Sequence, residues 1–451
     1  MNSSNGVRRN HHSLLILFLL SFQLASCLSA GGILSLATAE TDSHVLFPTG
    51  AKIDSETKEQ WLSVGLGVRT SFSSQQNGSA NGHNYSNAFG IQNARLYVNG
   101  AFNRYLKFEF NTDCFNCPSG QTGAGGGSGF FGGNSTIGVL DLIGKVEYNQ
   151  YVNLWFGRLL VPGERGELNG PFFHATYDGF RTPFNSADFS GNIGNGGAGL
   201  YGRDDGAVFW GEFNTSAIKQ IQYSLGAFRG LRSNGSGCAA GPCGPNQANN
   251  LLYAGRLTLN FLNPEKNPGY YTAGTYYGKA GDILALAGGF NFQAKGAGSF
   301  QHSSDLTIFT SDLLFEKVLP NAGVFTFNAE FKRYWADYAT AAFADPSGVT
   351  ANNFAMFRGT SVTACALYLL PDQIGWGKLQ PYGRYTYIDP QGSLVRKEYE
   401  LGLNYVIKGF NSRVSAFWQY GDINTKSLTN YALSATGEMV HRFVMAYQFQ
   451  Y

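Results

Sequence analysis

The sequence predicts an all-β fold, a transmembrane antiparallel β-barrel of about sixteen strands, and three observations carry that expectation. Segments of about ten residues alternate polar and apolar side chains from Trp61 onward. The connections between them fall into a short and a long class. The last segment is large and apolar or aromatic at every second position.

Alternation is clearest in four places. Leu106, Phe108 and Phe110 share one face while Lys107, Glu109 and Asn111 share the other. The same division separates Leu257, Leu259 and Phe261 from Arg256, Thr258 and Asn260. It recurs for Phe325, Phe327, Ala329 and Phe331 against Thr326, Asn328, Glu330 and Lys332, and for Tyr399, Leu401, Leu403 and Tyr405 against Glu398, Glu400, Gly402 and Asn404. A soluble sandwich would alternate as well, so the connections must decide. Strands are expected near 61–72, 87–101, 104–113, 136–148, 151–161, 205–213, 219–229, 250–262, 281–294, 303–316, 322–335, 355–370, 378–388, 396–408, 411–421 and 437–451. Phe102-Asn103, Asn149-Gln150 and Gly409-Phe410 are then short inner turns, and 73–86, 114–135, 162–204, 230–249 and 336–354 are long outer loops rich in Gly, Ser and Asn. Outer-membrane barrels show that asymmetry. One inner connection, 263–280, is long, and its Gly269-Tyr270-Tyr271 to Tyr277 stretch reads as a strand extension or a small plug.

Composition agrees. Only 14% of the residues are charged, against roughly 25% in globular proteins, and 15% are aromatic. The mean hydropathy of −0.16 rules out a bundle of membrane helices, each of which needs about 20 consecutive apolar residues. Side chains divided between lipid and a polar lumen produce this mixture.

The first residues read as an address. Arg8 and Arg9 precede an apolar stretch, Leu14 to Leu24, and small residues follow, which predicts a signal peptide over 1–39 cleaved after Ala37-Thr38-Ala39. Leu24-Ala25-Ser26-Cys27 offers a competing lipobox. A periplasmic segment over 40–60 and a barrel over 61–451 complete the division, in the bacterial outer membrane. Removing the leader takes two arginines and no acid, so basic and acidic residues become equal in number. No basic stripe points to nucleic acid.

From Phe443 every odd position to Tyr451 is large and apolar or aromatic. A soluble protein seldom leaves such an edge open, because it templates aggregation, and closure of a barrel removes it. This strand is expected to meet the outer-membrane assembly machinery, with lipid outside and small solutes inside as the other partners.

Phe156-Gly157-Arg158-Leu159-Leu160-Val161-Pro162-Gly163-Glu164 resembles a segment of the phosphate-selective porin O and P family. Ala94 to Gly100 with the strand that follows, Gly202-Arg203-Asp204-Asp205-Gly206, and Gln380-Pro381-Tyr382-Gly383-Arg384-Tyr385 resemble it too. The resemblance implies a sixteen-stranded porin, usually a homotrimer, with a long third outer loop narrowing the lumen and many basic pore-lining residues for anions such as phosphate. In this chain the signs are mixed. The candidate pore-lining residues are Arg95, Lys107, Lys145, Arg256, Lys332 and Arg384 together with Glu109, Glu147, Glu330, Glu398 and Glu400. Mixed signs favour a wide, weakly selective pore over a one-sign filter. Loop 162–204 is the expected constriction, with Arg165, Arg181 and Arg203 among Glu164, Glu167, Asp178, Asp204 and Asp205.

Cysteine is the remaining chemistry. Cys114 and Cys117 open one outer loop, Cys238 and Cys243 lie in another, and an oxidising envelope favours disulfides within or between the loops. Cys365 sits alone in a strand and is expected to face lipid or a neighbour. A four-sulfur metal or haem site would make the chain an electron-transfer conduit, but Pro118 stands where covalent haem requires His. The glycine run 123–133 lacks the Lys-Ser/Thr of a phosphate loop. No catalytic cluster, metal set or cofactor motif assembles, so passive solute passage stands ahead of a conduit or a barrel enzyme.

Overall fold

A computed structural model describes residues 51–54, 59–117, 138–179, 181–183, 202–230, 246–298, 303–336, 358–391, 394–423 and 438–451. The strands are β1 (Ala51–Asp54), β2 (Trp61–Gln75), β3 (Ser86–Ala101), β4 (Leu106–Cys117), β5 (Gly138–Glu147), β6 (Asn153–Leu160), β7 (Arg203–Phe213), β8 (Gln220–Phe228), β9 (Leu252–Asn260), β10 (Ile283–Gly298), β11 (Ser303–Val318), β12 (Val324–Trp335), β13 (Gly359–Leu369), β14 (Gln373–Ile374), β15 (Gly377–Pro390), β16 (Arg396–Val406), β17 (Ser412–Gly421) and β18 (Val440–Gln450). A five-residue helix, α1 (Arg165–Asn169), lies in the third outer connection.

All eighteen strands share one antiparallel sheet. Sixteen build the wall, while β1 pairs with the start of β2 and β14 forms a two-residue ladder with β15. The expected barrel start at residue 61 is thus preceded by one further short strand, Ala51–Asp54, inside the segment assigned to the periplasm. The leader and Cys27 fall outside the described residues.

Closure comes from β18, which pairs with β17 on one side and with β2 on the other, Phe449 opposite Val68 and Gln450 opposite Gly67. Tyr451 and Leu66 exchange both backbone hydrogen bonds at 2.8 Å. The two edges that a sheet ordinarily leaves open therefore meet each other.

Register and burial sort the two faces as the alternation predicts. On β16, Glu398, Glu400 and Asn404 are buried, whereas Leu401 is 60% exposed and Leu403 41%. Met445 on β18 is 63% exposed. So much apolar exposure, continued around the wall, makes a lipid-facing surface. Aromatic stacks flank it, with Tyr151, Phe213 and Tyr223 near the rim of short turns and Trp418, Tyr420 and His441 near the rim of long connections. Such girdles belong at the two interfaces of a membrane. We call the short-turn rim inner and the other outer.

Three differences from the sequence expectation have local causes. β4 runs on to Cys117, so Cys114 and Cys117 belong to one extended strand. Their Cα atoms then stand about 10 Å apart at 3.3 Å per residue, beyond the roughly 7 Å that a disulfide tolerates; a bond between these two is excluded. Cys238 and Cys243 lie outside the described residues, as do the side chains of Cys114 and Cys117. Cys365 faces inward rather than to lipid, sharing its strand face with Ser361 and Leu367 and packing on a buried cluster that includes Ala175, Tyr382 and Phe417. Arg203 is the first residue of β7, paired with Leu160, and is part of the wall rather than of the loop.

Candidate functional site: an outer loop and an inner plug meet in the lumen

The third outer connection leaves β6 at Val161 and folds into the barrel. Gly157, just before it, has φ +122°, and a Cβ there would meet the Leu142 carbonyl oxygen at 2.1 Å, so only glycine lets the strand turn at this point. In α1 the Glu164 side chain accepts from the backbone N–H of Glu167 at 2.7 Å and caps the first turn. Over its described residues up to 183 the connection is then fixed to the wall, largely by side chains that donate to its carbonyl oxygens. Asn291 reaches Pro162 at 3.0 Å, Arg256 reaches Gly163 at 2.8 Å, Gln448 reaches Phe172 at 2.8 Å, and Arg413 reaches His174 and Ala175 at 3.0 Å each. Arg69 donates to Tyr177 and Arg384 to Asp178, while Lys332 reaches Pro183 at 2.5 Å. A buried carbonyl needs such a partner, and these donors supply it.

From the opposite rim the connection 261–282 enters the same space. It forms the plug, not a strand extension. Tyr270 donates to the Leu160 carbonyl at 2.6 Å, Thr272 to that of Arg165 at 2.8 Å, and the Gly274 N–H to that of Phe173 at 2.8 Å. Glu316 of β11 accepts from Thr275 and from the backbone of Tyr276 and Gly278. Leu168 of α1 and Tyr270 pack with Trp155, Val208 and Phe228 in one apolar cluster. Ala273, Tyr276 and Tyr277 pack with Leu314, Val324 and Phe410 in another.

Arg165 joins the two elements. Its guanidinium holds Glu265 of the plug by two contacts of 2.6 Å and donates to the Ala273 carbonyl, while its backbone N–H donates to Asp312. Burial alone would lower the Arg165 pKa and raise that of Glu265; their pairing, with Asp312 on the arginine side, outweighs it and moves each the other way. Both stay charged at neutral pH.

All the sequence-derived residues except Glu330 gather into four networks on the lumen side, buried apart from Lys107 and Glu147. Arg95 pairs with Asp113 at 2.8 Å, and Arg203 with Asp141 at 2.9 Å. Lys145 pairs with Glu109 at 2.5 Å, beside Lys107 and Glu147 at 2.6 Å near the inner rim. Arg256 pairs with Asp312 at 2.5 Å, and Lys332 bridges Glu164 at 2.5 Å and Glu167 at 3.1 Å. Arg384 contacts Glu398 and Glu400, and Arg181 of the loop also holds Glu398. Most of these charges hold the lumen together, because each cation is spent on an acid or a carbonyl. The expectation of a wide pore is therefore corrected: among the described residues, loop and plug pack across the barrel. Asp312, Glu265, Arg69 and Arg413 went unnoticed in the sequence. Asp312 and Arg413 had a signal, since they share strand faces with Thr310 and Gln419; Glu265 had none.

His174 lies inside this loop. Burial first, then Arg69 of β2, Arg384 of β15 and Arg413 of β17, hold its pKa well below 6.5, with Asp178 of the same loop opposing. An undocked ring takes up a proton below about pH 6.5, whereas the docked ring does not. The docked state binds fewer protons there, so docking weakens as pH falls below that value, by at most about 1.4 kcal/mol per unit. Glu265, with its lowered pKa, contributes stability that is lost only at more acid pH. Hydrogen-exchange protection over 171–179 is expected to drop from pH 7 to about 5 in the wild type and to stay level in His174→Gln. Equal losses in both would reject the role of the ring.

A closed antiparallel barrel with an apolar belt, two aromatic girdles and an inward third loop is a transmembrane barrel of the bacterial outer membrane. Among solved structures the chain is similar to an anion-selective porin from Comamonas acidovorans, with 12% identity, a TM-score of 0.50 and coverage of 87% of this chain and 100% of that one. It is likewise similar to OprB of Pseudomonas putida, with 9% identity, a TM-score of 0.50 and coverage of 86% and 94%. No family model and no curated protein matches.

Proposed function

We propose that the protein is a passive outer-membrane channel for small hydrophilic solutes or ions, and not an enzyme. The observation that carries this reading is the polar lumen of a lipid-facing barrel, crossed by a loop whose buried carbonyl oxygens are met by wall side chains. An inert barrel could fill its interior with apolar residues alone. The porin neighbours support a channel, the resemblance to the phosphate-selective family implies a homotrimer, and the basic, apolar and small-residue order of residues 1–39 supports their loss from the precursor. Anion passage, phosphate included, stays the finer part of that resemblance. The cations that would serve it, Arg95, Arg256, Lys332 and Arg384, are already paired.

Purified protein is expected to give discrete conductance steps in a planar lipid bilayer. Replacing 269–278 by Asn-Gly, a pair that favours a tight turn, removes the central part of the plug. It should raise single-channel conductance several-fold. Steps of unchanged size would show that the plug lies off the conducting path; silence in both proteins would overturn the channel reading itself.

A further inference from the structure

Lys332 and Glu330 alternate with Phe331 on β12 and share its lumen face. Lys332 is bonded to two glutamates and a carbonyl. Glu330 is only 9% exposed, yet among the described residues no donor hydrogen-bonds to its carboxylate and no cation pairs with it. Every other charged side chain buried to that degree among the described residues has a partner. Its neighbour across the ladder is Asp312, whose charge already serves Arg256 and the N–H of Arg165.

The carboxylate points at the first turn of α1. Its oxygens lie 2.7 and 3.1 Å from where a Cβ on Gly166 would stand, so the missing side chain of Gly166 leaves the space that Glu330 occupies. Glu164, the cap of that helix, supplies a second negative charge close by. A carboxylate taken out of water without a donor is costly; it either binds a proton or attracts a cation. The residue keeps 9% of its surface exposed on the lumen face, the opening through which an ion in the lumen would reach it.

We propose that Glu330 is a cation-binding residue of the conducting path, set where the inward loop meets the wall, and that it biases the channel toward small monovalent cations. This rests on the channel reading given above. The described residues hold no group of three His, Cys, Asp or Glu able to chelate a metal, and one carboxylate suits an ion in passage better than a resident divalent metal. Further along the same side of the wall, Arg384 of β15 and Arg413 of β17 donate to backbone carbonyls and acids, so they offset this charge without presenting an anion path of their own.

The test is the reversal potential of single channels across a potassium chloride gradient at neutral pH. Wild-type protein should prefer potassium over chloride, and Glu330→Gln, which keeps size and removes charge, should bring the permeability ratio several-fold closer to one. On a His174→Gln background, which removes the loop's own response to acid, acidifying the bath should move the Glu330 protein the same way and leave its Glu330→Gln counterpart unmoved, a comparison that also separates loss of charge from misfolding. Chloride preference in the wild type overturns the proposal without any variant. An unchanged ratio in a conducting Glu330→Gln overturns it too, while absence of conductance in the wild type rejects the channel reading beneath it.

Discussion

Deleting Gln448 to Tyr451 is expected to abolish assembly of the heat-resistant barrel. These residues hold the seam at its inner end, where Gln448 and Phe449 pair with Arg413 and Ser412 on one side and with Arg69 and Val68 on the other. Without them β17 and β2 keep unpaired backbone groups that no lipid can satisfy. The loss reaches the interior as well. The Gln448 side chain donates to the Phe172 carbonyl at 2.8 Å and to that of Phe410 at 2.6 Å, and Gln450 accepts from the Tyr97 hydroxyl at 2.9 Å. One short deletion therefore opens the wall and frees the inward loop. Gel mobility with and without boiling, together with recovery in the membrane fraction, reads the outcome; unchanged mobility and recovery would reject the dependence.

The wall was legible because a two-residue period writes itself into the sequence wherever one face meets lipid and the other a polar interior. Leu106, Phe108 and Phe110 against Lys107, Glu109 and Asn111 is such a case, and β4 obeys it. Cys365 shows where the pattern fails. Val362 to Leu369 is small or apolar at most positions, so alternation could not tell lumen from lipid there, and the inward face was fixed by a packed cluster rather than by charge. The long third loop was legible from its length, but its embedding was not. Nothing in Arg256 or Arg413 announces that a guanidinium will meet a loop carbonyl, because the partner is a backbone atom more than ninety residues away in sequence. For the same reason mixed charge suggested a wide pore. Pairing the charges needed coordinates, and once paired they fill the lumen instead of lining it. The plug was suspected only because its connection was long.

Replacing Arg165 with Ala should have the largest effect of any single substitution on the lumen. The residue is fully buried, and its loss strands Glu265, which keeps only the Tyr276 hydroxyl and the Asn267 amide as donors. Asp312 is less affected because Arg256 remains. Removing one partner of a buried ion pair costs about 3–5 kcal/mol, mostly through the uncompensated charge left behind. That cost falls on the docking of loop to plug, since the strands keep their own ladders. Arg165→Ala is therefore expected to conduct in larger, noisier steps while far-ultraviolet dichroism keeps its sheet signature. The decisive reading is the cycle with Glu265→Gln. If the two residues act as one latch, adding Glu265→Gln to Arg165→Ala removes the stranded charge and returns part of the lost docking stability, so the double variant is less perturbed than the sum of the singles. Strictly additive effects on proteolysis of the loop would show that Arg165 and Glu265 act apart, and the latch would have to be abandoned.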